Sequence, residues 1–558
     1  MKRPLMLLVR DGWGLAAPGK GNAVTLARTP RVTDLKRRFP WCTLTPSGEA
    51  VGLRAGSQGS SEVGHLNMGA GRIVEQELLR VDRLIRTGEL FTHPRLVALA
   101  DNCRKRRSAF HLMGLVQDQG VHATEDHLYA LLEFAKRQGL TEVYVHFFGD
   151  GRDTPPRSAL VYLERLENKF AELGVGRVAS VMGRYYGMDR GENWDRTKKA
   201  YEALTQGVGL RAASATAAIE AAYARADAEL ARRAQHPGEE EDTPVETDEF
   251  IRPTLIAGPG GKPLALIRPG DSVVHFNYRQ DRAIQLTKAF VEKDFTAFNR
   301  GPRLAIAYAG LTRYYDEFDQ EIVPPMSMTN LLGEVLGRHG LRQLRISEYQ
   351  KFRHVTSFFN GKRIEPFPLE DDVQVPSITI PEDQKPEMSA YPVTDLVVCA
   401  VKEGIAAVRV KAGTVEGATM HVDAAPLAPD RAADTYDVIV LNFANCDMVG
   451  HTGVLAAAIK AVEVVDECTG KVVDAVLARG GTVIVTADHG NAEEMINPET
   501  GAPETAHTTG DVECILASAE FTNLKLRPHG ILSDIAPTML ALLGLPIPPE
   551  MTARTLIV

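Results

Sequence analysis

One glycine-rich stretch organises the chain: Gly56-Ser-Gln-Gly-Ser-Ser-Glu-Val-Gly-His-Leu-Asn-Met-Gly-Ala-Gly-Arg72. Its five glycines permit positive φ angles and a close approach of the backbone to a ligand, so the loop is suited to wrapping an anion or a metal. Ser60 and Ser61 stand just before a segment that can open a helix, whose N-terminal dipole favours an oxyanion. A surface loop with a serine helix cap would explain the same residues, so its function depends on the rest of the chain.

Composition indicates an ordinary globular protein of two or three domains, since the chain has 558 residues with 44% hydrophobic and 24% charged content. The net charge of -9 argues against a nucleic-acid partner or an anionic membrane. The six cysteines form no C-x-x-C pair, and the first apolar run is too short for a signal sequence or a membrane span. We therefore expect a soluble, cytoplasmic protein.

Three aspartates each follow a short apolar run that is typical of a strand buried on both faces. They are Asp11 after Leu5–Val9, Asp447 after Asp437–Leu441, and Asp488 after Thr482–Thr486. A parallel sheet brings such strand ends to one edge, where ligands bind. His451 and His489 lie within one turn of two of these aspartates, and His507 follows. Carboxylate oxygen and imidazole nitrogen together suit Mn, Zn, Co or Fe, with Mg less favoured.

A second region alternates strands with loops that carry His or Arg. Phe110–Val116 leads to His122, Val143–Phe148 to Arg152 and Asp153, Val178–Met182 to Arg184 and Arg190, and Ser272–Phe276 to Arg279 and Arg282. Because Arg presents a fixed fork of donors to carboxylate and phosphate, four such loops in one region predict a single basic cleft.

Other segments bear on the domain organisation. The run from Gln235 to Pro244 is acidic and broken by prolines, which predicts a solvated insertion without an assigned function. Leu304–Ala307 is another predicted strand, and Pro324-Pro325 marks a domain boundary. Repeated prolines predict that Glu365–Ser389 is largely loop.

These residues support phosphoryl transfer through a covalent serine. A serine hydroxyl is a poor nucleophile at neutral pH, and metal coordination activates it. A phosphoserine can then lose its phosphoryl group to water or return it to a bound acceptor. Arginines that hold an acceptor carboxylate in a cleft with little water favour the return.

The motifs that carry these residues resemble those of cofactor-independent phosphoglycerate mutases. They are Gly-Ser-Ser-Glu-Val-Gly-His-Leu-Asn-Met-Gly-Ala-Gly-Arg, His-Phe-Phe-Gly-Asp-Gly-Arg-Asp-Thr-Pro-Pro, Gly-Arg-Tyr-Tyr-Gly-Met-Asp-Arg, Asp-Met-Val-Gly-His-Thr-Gly and Ala-Asp-His-Gly-Asn-Ala-Glu. The resemblance runs from Asp11 to the segment Ala536-Pro537-Thr538, which is nearly the whole chain.

The resemblance implies an α/β fold with two domains. An alkaline-phosphatase-like, metal-binding domain with a central, mainly parallel sheet would be formed by 1–75 and 326–558. A second α/β domain, responsible for phosphotransfer and substrate binding, would be inserted at 76–325.

The resemblance also implies roles for individual residues. Ser61 would be the nucleophile, with Ser60 as a rival because the family usually has Asn there. One metal would be bound by Asp447, His451 and His507, and the other by Asp11, Ser61, Asp488 and His489. Substrate would be held by His122, Arg152, Asp153, Arg184, Arg190, Arg279, Arg282 and Lys351. Asp153 would act as general base and acid, and Lys351 would join the catalytic residues, although by local sequence it reads as a solvated lysine.

We therefore expect an enzyme that interconverts 3-phosphoglycerate and 2-phosphoglycerate in glycolysis and gluconeogenesis. It would use two divalent metal ions, Mn²⁺ first with Co²⁺, Zn²⁺ and Mg²⁺ as alternatives, and no bisphosphoglycerate. It would work as a monomer on a small-molecule substrate. The alternatives are a metal-dependent phosphatase or phosphodiesterase of the same superfamily and a catalytically dead binding protein. A sulfatase is disfavoured because no Cys-x-Pro-x-Arg segment surrounds the serine.

Overall fold

The computed structural model describes residues 4–235, 244–423, 435–497, 500–520 and 524–558. The chain divides into two compact units, one formed by Met1–Gln76 with Met326–Val558 and the other by Glu77–Pro325. The first unit is thus built from both ends of the chain. Of the run from Gln235 to Pro244 that was predicted to be a solvated insertion, 236–243 lie outside the described residues, and Gln235 is the last residue of a helix.

The strands of the described residues, in chain order, are as follows. They are β1 (Leu5–Arg10), β2 (Trp41–Thr45), β3 (Phe110–Leu115), β4 (Val143–Gly149), β5 (Arg177–Gly183), β6 (Leu210–Ala212), β7 (Thr254–Ile256), β8 (Ser272–His275), β9 (Ala307–Thr312), β10 (Glu321–Val323), β11 (Gln343–Glu348), β12 (Glu370–Val375), β13 (Thr419–His421), β14 (Val438–Phe443), β15 (Thr482–Thr486), β16 (Val512–Ser518) and β17 (His529–Ile531).

The α-helices of the same residues vary from single turns to long rods. They are α1 (Ala23–Leu26), α2 (Pro30–Arg38), α3 (Ser61–Ala70), α4 (Glu77–Thr87), α5 (Pro94–Arg106), α6 (Glu125–Arg137), α7 (Ala159–Leu173), α8 (Arg184–Gly187), α9 (Trp194–Gln206), α10 (Ala215–Gln235), α11 (Ile284–Val291), α12 (Leu332–Arg338), α13 (Tyr349–Arg353), α14 (Ala390–Glu403), α15 (Ile405–Ala412), α16 (Asn445–Gly450), α17 (Leu455–Ala478) and α18 (Ile535–Leu543). Short 3₁₀ helices lie at Gly48–Val51, Glu89–Thr92, Asp248–Phe250, Pro259–Gly261 and Leu532–Asp534, and a π turn lies at His354–Phe358.

The first unit contains a nine-stranded sheet in the order β13-β12-β11-β14-β1-β15-β16-β2-β17. The strands from β12 to β15 in that order are parallel, whereas β13 and β16 run antiparallel to their neighbours. The apolar residues of β1 are fully buried, as is typical of a parallel strand covered on both faces. Three of these parallel strands, β14, β1 and β15, lie side by side in the middle of the sheet.

The second unit contains an eight-stranded sheet in the order β10-β9-β8-β3-β4-β5-β7-β6. Every neighbouring pair is parallel except β5 and β7. Its apolar residues form a core of their own. The predicted α/β class, with a mainly parallel central sheet and a second α/β part inserted in the chain, is confirmed.

Two local predictions were wrong in detail. The strand predicted at Leu304–Ala307 begins only at Ala307. The prediction that Glu365–Ser389 is largely loop missed β12, whose first residues are acidic and therefore lack the apolar pattern of a buried strand. These acids can be buried because arginines on and just before the neighbouring strand β11 pair with them. Arg345 Nη2 lies 3.4 Å from Glu370, and Arg342 Nη2 lies 2.9 Å from Asp371.

Replacing Arg345 with alanine should destabilise the first unit. The Arg345–Glu370 pair is fully buried, so the variant leaves an uncompensated buried carboxylate at a cost of about 3–5 kcal/mol. Arg37→Ala is the control, because Arg37 pairs with Asp34 on the surface and its loss should cost at most about 1 kcal/mol. Urea denaturation of both variants measures the difference, and similar midpoints would contradict the prediction.

Candidate functional site

Three buried aspartates meet at the carboxyl ends of neighbouring strands in the first unit. Asp11 directly follows β1, Asp447 lies on α16 just after β14, and Asp488 follows β15. Since these strands are adjacent and parallel, their ends lie at one edge of the sheet. The backbone N–H of Asp447 donates to the carbonyl oxygen of Asp11 at 3.0 Å, which ties two of the three together.

Gly12 makes this close approach possible. Its φ of +75° lies in the left-handed region, and a Cβ at this position would stand 2.6 Å from the Cα of Asp447. Any side chain here would push α16, and with it Asp447, away from the end of β1.

The predicted serine loop ends in α3, whose first residue is Ser61. Ser60 is the N-cap, and its hydroxyl accepts a hydrogen bond from the backbone N–H of Val63 at 3.4 Å. Gly64, one turn later, lets the helix lie directly against Asp488, because a Cβ there would be 2.8 Å from the Asp488 carbonyl oxygen. Helix α3 therefore brings Ser61, and not Ser60, to the aspartate cluster.

The Ser61 hydroxyl is surrounded by groups that bear or accept charge. It donates to Asp11 Oδ1 at 3.0 Å and lies 2.9 Å from His489 Nε2. The ammonium of Lys351, on α13, donates to Ser61 Oγ at 2.6 Å. The side chain of Ser61 is therefore in direct contact with residues contributed by distant parts of the sequence.

Lys351 supplies positive charge to the aspartates. Its ammonium donates to Asp11 Oδ1 at 2.9 Å and to Asp447 Oδ2 at 2.6 Å. Burial alone would lower the pKa of this lysine, but the carboxylates of Asp11, Asp447 and Asp488 raise it above its usual value. Burial alone would likewise raise the pKa of Asp11, yet Lys351 holds it well below its usual value. Lys351 and Asp11 are therefore both ionised at neutral pH.

One group of possible metal ligands consists of Asp447, His451 and His507. The Nδ1–H of His451 donates to the Thr505 carbonyl at 2.7 Å, and that of His507 donates to the Gly59 carbonyl at 2.9 Å. Both Nε2 atoms therefore carry lone pairs. They lie 3.1 Å apart and 3.2 and 3.0 Å from Asp447 Oδ1. Backbone carbonyls thus hold the two imidazole rings in a fixed orientation. Their Nε2 atoms and the Asp447 carboxylate form a donor set that fits a divalent cation.

The second group consists of Asp11, Asp488 and His489, all fully buried. His489 Nε2 lies 3.3 Å from Asp11 Oδ1 and 3.7 Å from Asp488 Oδ2. Within the described part of the chain, Asp488 Oδ2 receives no hydrogen bond although it is buried. Such an unsatisfied carboxylate oxygen beside an imidazole nitrogen also fits a divalent cation.

The seven predicted substrate residues of the second unit follow four strands that are consecutive in its sheet. His122 follows β3, Arg152 and Asp153 follow β4, Arg184 and Arg190 follow β5, and Arg279 and Arg282 follow β8. These strands are parallel in the order β8-β3-β4-β5, so their loops share one edge. Lys351, which was predicted to act with them, belongs to the first unit and lies beside Ser61.

Arg184, which directly follows β5, is buried at this edge. Its Nη1 donates to Asp150 Oδ1 and to Asp153 Oδ2, both at 2.6 Å. The pKa of His122 is lowered to about 4, mainly by burial and secondly by the positive charge of Arg184. His122 is therefore uncharged at neutral pH and can act as a hydrogen-bonding group.

Arg152, Arg190 and Arg282 line a cavity of about 310 Å³. Burial and the neighbouring charges of Arg184, Arg190 and Arg152 lower the pKa of Arg282, which indicates how closely the positive groups are gathered. Arg196 lines the same cavity and was not predicted from the sequence. A polar cavity of this size with several guanidinium groups suits a small organic acid.

Two acids of this edge were missed by the sequence reasoning. Asp281 lies 2.6 Å from Arg190 and 3.2 Å from Arg279, and Asp150 accepts from Arg184. They hold the arginines in place. Their sequence positions could have indicated this role, because each acid stands within three residues of a predicted substrate-binding arginine and can form an ion pair with it.

Comparison with known proteins identifies the family. Residues 81–316 match the model described as the N-terminus of BPG-independent PGAM, and residues 423–547 match the metalloenzyme superfamily. The chain is 48% identical over 561 residues to the 2,3-bisphosphoglycerate-independent phosphoglycerate mutase of Moorella thermoacetica, covering all of this chain and 99% of the relative. The chain belongs to this family.

Other members agree with that assignment. The 2,3-bisphosphoglycerate-independent phosphoglycerate mutase 2 of Methanosarcina acetivorans is 45% identical, with 100% of this chain and 98% of the relative covered. A crystal structure of phosphoglycerate mutase from Leishmania mexicana, obtained at low cobalt concentration, superposes with a TM-score of 0.59 at 31% identity, covering 100% and 98% of the two chains.

Membership confirms the predicted family and enzyme class, that of phosphoglycerate mutases independent of 2,3-bisphosphoglycerate. The match to a metalloenzyme superfamily and the two ligand groups support the use of divalent metal ions. No helix among the described residues has the length and apolar character needed to cross a membrane.

Removal of metal should abolish the activity of this family member. A chelator should inactivate the enzyme, and added Mn²⁺ should restore turnover and stabilise the folded chain by about 2.7 kcal/mol at 100 times its Kd. His451→Ala should weaken Mn²⁺ binding measured by calorimetry, because it removes one converging nitrogen. His529→Ala is the control, since His529 contacts Thr43 and Thr45 away from the ligand groups. Full activity in the presence of the chelator would contradict the prediction.

Proposed function

We propose that the chain interconverts 3-phosphoglycerate and 2-phosphoglycerate through a phosphoserine at Ser61. The observation that carries this proposal is the position of the Ser61 hydroxyl, 3.0 Å from Asp11, 2.9 Å from His489 and 2.6 Å from Lys351. A hydroxyl in contact with a possible metal ligand set and a buried ammonium has the surroundings of an activated nucleophile.

Two divalent cations fit the donor groups of the first unit. Asp447, His451 and His507 would hold one, and Asp11, Ser61, Asp488 and His489 would hold the other. When bound, such cations polarise phosphoryl oxygens and favour the ionised form of a serine hydroxyl. Mn²⁺ is the ion we propose, because mixed carboxylate and imidazole donors suit it better than Mg²⁺.

Ser61 is the proposed nucleophile, and Ser60 is not. The Ser60 hydroxyl caps α3, whereas the Ser61 hydroxyl faces the buried acids. In the forward step Ser61 would react as the alkoxide, its proton having passed to solvent. Its Oγ would bond to the phosphorus atom while the bond from phosphorus to the glycerate oxygen breaks, and the negative charge would move to that glycerate oxygen until Asp153 delivers a proton to it. The Lys351 ammonium lies 2.6 Å from Ser61 Oγ and stabilises the negative charge on Oγ after the serine proton has left.

The second unit supplies the grip on glycerate. The guanidinium groups of Arg152, Arg190 and Arg282 around the cavity would bind the carboxylate. Arg279 and the uncharged ring of His122, on loops at the same edge of the sheet, would be further hydrogen-bonding groups. Asp153 would accept a proton from one glycerate hydroxyl and return it to the other as the acceptor turns. Arg184 Nη1, 2.6 Å from Asp153 Oδ2, keeps that carboxylate oriented.

The two units thus take different parts in the proposal. The first, with Asp11, Ser61 and the C-terminal ligands, is the phosphatase-like, metal-binding unit. The second holds the acceptor so that the phosphoryl group returns to glycerate instead of passing to water. We propose that the enzyme works as a monomer and that its compartment is the cytoplasm.

A direct assay separates this function from that of a phosphatase. The metal-loaded enzyme is incubated with 3-phosphoglycerate in the absence of 2,3-bisphosphoglycerate, and the products are followed by phosphorus NMR. The proposal predicts 2-phosphoglycerate with little free phosphate. Free phosphate as the main product would instead indicate a phosphatase, and neither product would indicate a binding protein.

Ser61→Ala should abolish turnover and Ser60→Ala should not. We expect a loss in kcat of about 10⁴-fold or more for Ser61→Ala, because the phosphoserine cannot form. Ser60→Ala removes a helix cap and should cost about 1 kcal/mol of stability with most of the activity kept. Phosphopeptide mass spectrometry after acid quenching measures the intermediate directly. Phosphorylation of the Ser61→Ala chain at Ser60 would reverse the assignment.

Arg184→Ala should impair the mutase reaction more than hydrolysis of the phosphoserine. The variant frees Asp153 and Asp150 and weakens the acceptor grip, so we expect about a 10²-fold lower kcat with a larger share of free phosphate among the products. Arg177→Ala is the matched control, because Arg177 lies at the opposite end of the same strand and is half-exposed. Equal losses of both reactions would argue against the acceptor grip.

A further inference from the structure

Two uncharged side chains lie behind the second ligand group and have no role in the reaction described above. They are Asn442, the fifth residue of β14, and His65, on α3 one turn after Ser61. Both are almost completely inaccessible to solvent, with 1% of Asn442 and none of His65 exposed. Buried polar groups are costly unless they are hydrogen-bonded, so their partners indicate what they do.

Asn442 binds the carboxylate oxygen of Asp11 that faces away from the serine. Its Nδ2 donates to Asp11 Oδ2 at 2.7 Å, while Asp11 Oδ1 faces Ser61 and Lys351. The strand register places Asn442 opposite Val9 on the neighbouring β1, two residues before Asp11. A rigid strand therefore presents the amide to this carboxylate.

The second hydrogen of the same amide points to His65. Asn442 Nδ2 lies 3.2 Å from His65 Nε2, and His65 Nδ1 donates to the Ser61 carbonyl oxygen at 2.8 Å. Because an amide nitrogen can only donate, His65 Nε2 is the acceptor, and the ring carries its proton on Nδ1. The same Nδ1 lies 3.2 Å from Asp488 Oδ2.

These bonds form one continuous chain from Asp11 through Asn442 and His65 to the backbone of Ser61, and the ring of His65 also lies next to Asp488. The chain links the ends of β1 and β14 with the start of α3. Each residue it reaches is one that the proposed mechanism assigns to the second cation. Substitution of such outer partners usually changes metal affinity, because they fix the orientation of the ligands.

We propose that Asn442 and His65 are positioning residues, which hold Asp11, Asp488 and Ser61 in register for the second cation and for attack on the phosphoryl group. The inference rests on the proposed function, since it assumes that these three residues bind a metal. It adds that the site depends on a neutral hydrogen-bonded pair that touches neither the cation nor the substrate.

The first test is Asn442→Leu, which has nearly the same shape but cannot donate. Titration of the metal-free protein with Mn²⁺, followed by calorimetry, should show one site unchanged and the other weakened by about 10- to 100-fold. The matched control is Asn360→Leu. Asn360 is also a buried amide that donates to a buried carboxylate, Glu370, but it lies outside the ligand groups. It should leave both Mn²⁺ sites as in the wild type.

The second test uses His65 and does not depend on the folding of the Asn442 variant. His65→Gln places a side-chain oxygen near the position of Nε2 as an acceptor for Asn442, whereas His65→Leu removes every polar partner. We expect His65→Gln to retain more Mn²⁺ affinity and a higher kcat than His65→Leu. Nitrogen-15 NMR of the wild type should show His65 as the Nδ1–H tautomer, and this signature should change in Asn442→Leu.

The results of these experiments distinguish a failure of the positioning role from a failure of the proposed function. Wild-type protein that binds no Mn²⁺ at all would overturn the proposed function. Two wild-type sites that keep their affinities in Asn442→Leu would overturn the inference alone. So would equal losses in His65→Gln and His65→Leu, because they would show that the fold of α3, and not the hydrogen bond, sets the affinity.

Discussion

The site of the first unit depends on the compensation of negative charge. The parallel order β14-β1-β15 brings Asp11, Asp447 and Asp488 to one buried edge, where three carboxylates repel each other and lose their hydration. Lys351 offsets this repulsion by bonding to two of them. The converging nitrogens of the histidines provide places where divalent cations can offset the rest. The carboxylates that Lys351 does not neutralise therefore attract further positive charge to this buried site.

The same edge shows why a nucleophile can be placed within this cluster. Helix α3 approaches Asp488 closely because Gly64 has no side chain, and α16 approaches β1 because of Gly12. A hydroxyl at the first position of α3 then lies between an ammonium and a carboxylate. The hydrogen bonds of Asn442 and His65 lie on the far side of these groups and restrict their movement. Small residues permit the approach, and polar residues behind the ligands maintain it.

The second unit, in contrast, gathers positive charge at one edge of its sheet. Its arginines are held apart and oriented by acids that lie between them, as Asp281 does for Arg190 and Arg279 and as Asp150 does for Arg184. Their guanidinium groups are thus pre-organised, so binding a carboxylate costs less ordering of side chains. The arrangement suits a small acid that must be held and turned without being released to water.

The sequence by itself determined the α/β class, the family and the residues with the right chemistry, because apolar strands followed by Asp, His or Arg are local patterns. It also misled locally. Strand β12 was not predicted because its first residues are acidic. These acids are buried by pairing with Arg342 and Arg345, which lie elsewhere in the chain. Only the tertiary structure showed that the hydroxyl of Ser61, and not that of Ser60, contacts the aspartates, that Lys351 lies among them, and that Asn442 is bonded to His65. Those facts depend on contacts between residues far apart in sequence, such as Lys351 and Ser61, and no local pattern encodes the distance between two such side chains.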